Sequence, residues 1–146
     1  MSGLYDQDFN AWTEQQADLL RAGRWADLDV QHLIDEIESM GRSERKELVN
    51  RLVILMLHLL TWGYQPALRG NSWRLSITEQ RIRLSSHLDD NPSLKAYLDE
   101  AAVRAYRLAV IKAEKQTGLP AATFPAQCPF TFADMADEEF WPDAAG

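Results

Sequence analysis

The chain has 146 residues, of which 46% are apolar and 25% charged, and a net charge of −7. That length can bury a core without a covalent staple, and the composition is that of a folded domain rather than a disordered one. The acidity, with a pI of about 4.9, argues against a protein that coats nucleic acid. The single cysteine, Cys128, excludes an internal disulfide and a cysteine-built zinc site.

The first residues, Met1 to Asp6, carry neither a basic run nor an apolar run, so no signal peptide is expected and the expected location is cytoplasmic. The longest apolar stretch, Leu52 to Leu60, is interrupted by His58 and is about half of the roughly 20 residues a membrane span needs. It belongs in a core. Leu and Ala supply 37 residues against 17 Val, Ile and Thr, a balance that favours helix over sheet. The six prolines leave long proline-free blocks between them, and each block has a helical period.

In chain order, the spacing predicts a first helix from about Asp6 to Ala22, with Phe9, Trp12, Gln16, Leu19 and Leu20 on one face and Gly23 as its stop. Asp29 is an N-cap candidate for a second helix, on which Leu33, Ile34, Ile37 and Met40 form a stripe. Gly41 could end that helix and Ser43 start another, carrying Leu48, Leu52, Leu55, Leu59 and Trp62. The two stripes stay nearly in phase, so one long helix with a kink at Gly41 fits as well as two. Ser72 is placed as the cap of a third helix to about Leu88, with Trp73, Ile77, Leu84 and Leu88 inward. Pro92 opens a fourth that Gly118 stops, with Leu94, Leu98, Ala101, Ala105 and Leu108 as its seam. Three prolines make 118–129 irregular. Thr131 and Asp134 resemble a capping box before a short helix ending near Phe140. The expected architecture is a single all-α domain over 1–146: a bundle of four main helices over 1–118, then an extended arm over 119–146 whose aromatic residues cover a groove.

Motifs of known chemistry are absent: no P-loop, GxGxxG, HExxH, CxxC or GxSxG occurs, and no Glu-x-x-His pair. No catalytic residue, metal or cofactor is therefore assigned. His32 and Glu36 stand four apart, a metal-compatible spacing, but one such pair is a weak signal. A more distinctive group is acidic. Glu36 borders an apolar stripe, Glu38 lies beside it, and Glu44 shares a face with leucines, where a carboxylate needs a partner. From Tyr64 to His87 the chain carries Arg69, Arg74, Arg81 and Arg83 against Glu79 alone. The simplest expectation is that Glu36 or Glu44 pairs with Arg74 or Arg81. The loop from Trp62 to Trp73, with Gln65 and Arg69, joins two helices and offers polar groups to a ligand or partner.

Several segments match a known pattern: Tyr5-Asp6-Gln7-Asp8-Phe9 with Trp12; Leu28-Asp29 with Glu36, Ile37 and Glu38; Gly41-Arg42-Ser43-Glu44; His58-Leu59-Leu60 with Trp62 and Tyr64-Gln65-Pro66; Ser72-Trp73; Gln80-Arg81; Pro92-Ser93-Leu94; Thr117-Gly118-Leu119-Pro120; and Phe124-Pro125, Cys128-Pro129 and Phe140-Trp141-Pro142. They run in order through nearly the whole chain, which resembles the bacterial family called domain of unknown function 29. The resemblance implies an all-helical, cytoplasmic bacterial protein and no activity. The polar members of the motifs are Glu36, Glu38, Glu44, His58, Gln65, Trp73 and Arg81; with Arg69 they are the candidate ligand- or partner-binding residues. The expected function is a small non-enzymatic module that binds a protein or associates with itself. The other reading is a ligand-binding or enzymatic bundle built on the Glu/His/Arg group.

Overall fold

The computed structural model describes residues 3–143, and all regular structure among them is helical. The α-helices are α1 (Leu4–Gln7), α2 (Phe9–Arg21), α3 (Val30–Tyr64), α4 (Asn71–Asp90), α5 (Leu98–Thr117) and α6 (Phe132–Ala136), with 3-10 turns at Trp25–Asp27, Pro66–Leu68, Pro92–Tyr97 and Ala121–Thr123. The chain divides into two compact units, Met1–Ser43 and Glu44–Gly146. The helix α3 supplies its first part to one and the rest to the other.

In the N-terminal unit, the expected first helix is interrupted at Asp8, which leaves helical geometry (φ −152°, ψ 89°). Its carboxylate accepts the Ala11 N–H at 3.0 Å and so caps α2. Trp12 and Gln16 are buried, whereas Phe9 and Leu20 are exposed. Gly23 ends the segment in the left-handed region at φ 69°, where a side chain would be strained.

The helix α3 runs through Gly41 without a break, so Ser43 is an interior residue and not a cap. The first part of its stripe departs from expectation. Ile34, Ile37 and Met40 are 44%, 61% and 61% exposed, and Val30 is 54% exposed. The reason is rotational. The side of α3 that meets Tyr5 and Trp12 carries His32 and Glu36, with Asp29 just before the helix. At 100° per residue it lies nearly opposite the Val30–Ile34–Ile37 row.

In the C-terminal unit, Leu48, Leu52, Leu55 and Leu59 of α3 are fully buried against Ile77, Leu84 and Leu88 of α4 and the row Ala101, Ala105, Ala109, Ala113 of α5. Four alanines four apart put little bulk on that face of α5. That row turns by about 40° per step, which carries the inward face to Ala109 and Tyr106 and leaves Leu108, expected in the seam, exposed. Gly70 rather than Ser72 precedes α4, with no side-chain cap. Pro92 opens a 3-10 turn before α5. Gly118 ends α5 in the left-handed region at φ 75°.

The arm docks within this unit. Phe124 and Met135 are buried, and Phe130 and Trp141 pack on the core. The Thr131–Asp134 capping box forms in both directions. The helix it starts stops at Ala136, short of Phe140. Residues 144–146 lie outside the described part of the arm.

Candidate functional site

The candidate residues fall into three local groups. In the N-terminal unit, Glu36 accepts a hydrogen bond from the Tyr5 hydroxyl. That bond pushes the Tyr5 hydroxyl up to about 12, because ionisation would place two anions together. The Tyr5 ring stacks on His32, with centroids 3.9 Å apart. Asp29 Oδ2 accepts from Trp12 Nε1 at 3.0 Å and contacts His32 Nδ1 at 2.7 Å. Each group of the last pair holds the other charged: His32 is raised above its ordinary range and Asp29 lowered below its own. Gln16 Oε1 accepts the Asp29 backbone N–H at 2.8 Å. Glu38 is exposed, 3.8 Å from Arg42 one turn on.

Arg81 organises the second group. It is 2% exposed. Its Nε donates to Met135 O at 2.9 Å, and its NH2 donates to Phe140 O and, at 3.4 Å, to Asp134 O. A guanidinium at the last carbonyls of α6 supplies the donors those carbonyls lack and suits the negative end of the helix. Burial pushes the Arg81 pKa down, while Asp137 and Glu138 oppose the shift. Its carbon lies 5.3 Å from the Trp141 ring centroid. Trp141 packs against Trp62, with centroids 4.7 Å apart, and Arg69 lies 5.3 Å over Trp62. Arg69 Nε donates to Trp62 O at 2.7 Å, and NH2 is 3.9 Å from Asp143. The two arginines and two tryptophans thus join the end of α3, α4 and the arm. Gln65 is half-buried, and its backbone N–H donates to Thr61 O at 2.9 Å. Trp73 is also half-buried.

The expected pairing of acid with arginine is corrected here. Glu44 contacts His87 Nε2 at 2.8 Å and Asn91 Nδ2 at 3.4 Å, and Arg74 donates to its neighbour Asn71 at 2.6 Å. The cause is position. Glu44 faces the C-terminal end of α4, where His87 and Asn91 stand, whereas Arg81, nearly two turns earlier, faces the arm. The third group is therefore Glu44, Glu47, His87 and Asn91. His58 is half-buried and lowered below its usual range by desolvation alone, so at neutral pH it is uncharged.

Sequence reasoning passed over Tyr5, Trp12, Asp29, Glu47 and Asn91 as site members. The spacing of Asp29 and His32, one turn apart, was a usable signal for their pair. Glu47 with Glu44 was another, three apart on one face. Nothing local in sequence points Arg81 at backbone carbonyls more than fifty residues away. Cys128 is half-buried and its thiol is raised by burial, so it stays a neutral thiol and a poor nucleophile at pH 7.

The fold and these groups define an all-helical protein in which charged side chains tie helices and an aromatic arm together. The chain belongs to the family Domain of unknown function DUF29, whose pattern matches residues 4–141. No curated protein and no solved structure matches it. No helix among the described residues is long and apolar enough to cross a membrane.

Proposed function

We propose that this protein is a non-enzymatic interaction module that associates through the first part of α3, with a second copy of the chain as the partner. The observation that carries the reading is the row Val30, Ile34, Ile37 and Met40, 44–61% exposed on a continuous helix. A contiguous exposed apolar row is a signature of a binding surface. The same row, continued past Gly41, becomes the fully buried Leu48–Leu52–Leu55 core.

Charge order supports a second copy. On the flank of the row, Glu38 precedes Gly41 by three residues and Arg45 follows it by four. Two such helices crossing antiparallel at Gly41 bring opposite charges together. A Cβ at Gly41 would meet nothing within 4 Å, so another backbone has room to approach there. The engagement of Arg81, Arg69 and Glu44 in contacts within the chain also supports a module over a catalyst.

Sedimentation velocity over a concentration series tests this. The intact protein should sediment as a dimer that dissociates on dilution. Ile37→Glu, at an exposed position, should sediment as a folded monomer. A monomer at every concentration would overturn self-association.

A further inference from the structure

Glu44 and Glu47 lie three residues apart on one face of α3, and His87 stands one turn before Asn91, the C-cap of α4. His87 Nε2 is 2.8 Å from Glu44 Oε2 and 3.7 Å from Glu47 Oε2. Ligand atoms of the three residues all lie within 4.8 Å of one another. The His87 side chain is only 8% exposed, while the two carboxylates are 46% and 43% exposed. The imidazole is thus fixed inside the unit with Nε2 directed at a pair of acids that open to solvent. Its other nitrogen, Nδ1, is buried without a partner among the described residues. Arg51 holds Oε1 of Glu47 at 2.8 Å, which leaves Oε2 turned toward His87.

These separations also accommodate a bound ion. A tetrahedral zinc with bonds of about 2.0–2.2 Å sets its ligand atoms roughly 3.4 Å apart. The two measured distances fall on either side of that value, so small side-chain rotations accommodate the ion. Glu47 Oε2, 3.7 Å from His87 Nε2, lies beyond direct hydrogen-bond reach of the imidazole. We propose that Glu44, Glu47 and His87 form a site for a zinc-class divalent cation that clamps α3 to α4. The open side admits water as the fourth ligand. Arg51 fixes Glu47 through its other oxygen, while Asn91 Nδ2 lies 3.4 Å from the same Glu44 oxygen that faces His87. The imidazole favours zinc over magnesium or calcium, which prefer all-oxygen sites. This sets aside the expectation from sequence that the chain holds no metal. That expectation weighed His32 with Glu36 but not the Glu44–Glu47 pair.

The test is calorimetric titration of the metal-free, full-length protein with zinc chloride, with cobalt(II) as a spectroscopic probe. One equivalent should bind, raise the melting temperature, and with cobalt give the visible absorption of a four-coordinate ion. Glu47→Gln, at a half-exposed position that leaves the core intact, should weaken binding by about 10-fold or more. His87→Ala should abolish it, and His32→Ala should leave it unchanged. Absence of binding at millimolar zinc would overturn the proposal. So would binding that survives Glu47→Gln and His87→Ala, or that follows His32→Ala.

Discussion

Arg81 is the side chain on which the arm's position depends most, and Arg81→Ala tests that dependence. In the folded protein its guanidinium serves Met135 O and Phe140 O by short bonds and Asp134 O by a longer one, and lies over Trp141. Hydrogen bonds from a charged donor are worth about 1.5–3 kcal/mol each, and a cation over an indole adds about 0.5–1 kcal/mol. Two short bonds and the ring contact put the loss at about 3–5 kcal/mol, after some rehydration of the freed carbonyls. Arg81→Lys keeps the charge but cannot fork to carbonyls on separate residues, so it should lose about half as much. Urea unfolding gives the total, and amide hydrogen exchange locates it. Residues 131–141 should lose protection in Arg81→Ala while α5 keeps its own. A loss below about 1 kcal/mol, or unchanged exchange in the arm, would refute the reasoning.

Two further outcomes follow from particular residues. In an NMR pH titration the histidines should separate: His32 should titrate above about 6.5 and His58 below it, with Asp29→Asn returning His32 toward that value. The signs follow from linkage. The His32 contribution to stability is complete below about 6.5 and is lost as pH rises through its raised value. The Asp29 contribution is complete above about 3.9 and is lost as pH falls through its lowered value, and burial of neutral His58 costs stability below about 6.5. The glycines should also part ways: Gly41→Ala should raise helix stability by about 0.5–1 kcal/mol while weakening self-association. Gly118→Ala, at a positive φ, should cost about 1–2 kcal/mol by thermal unfolding.

The helices were legible because periodicity is local. Ile77, Leu84 and Leu88 recur at helical spacing and are buried, the Thr131–Asp134 box forms as its spacing implies, and Gly118 stops α5. What escaped was which side of a helix finds a partner. Ile34 and Ile37 have the spacing of a core stripe, yet Tyr5 and Trp12 pack on the opposite side through His32, Asp29 and Glu36. Leu108 fails for a related reason, since a row of alanines set the packing face. The polar groups were legible as residues needing partners but not as pairs. Glu44 met a histidine instead of an arginine, and Arg81 met main-chain carbonyls, which no side-chain pattern announces. Among the candidates, Arg69 and Arg81 come to one pair of tryptophans, while Glu36 and Glu38 belong to the N-terminal unit.

Site-specific disulfide trapping tests most directly whether a second copy crossing near Gly41 covers the exposed row of α3. In a Cys128→Ser chain, Met40→Cys beside the crossing should form a covalent dimer rapidly under mild oxidation. Val30→Cys, far from the crossing in an antiparallel pair, and Asp35→Cys, on the opposite side of the helix, should not. Rapid dimerisation of all three, or of none, would contradict the account.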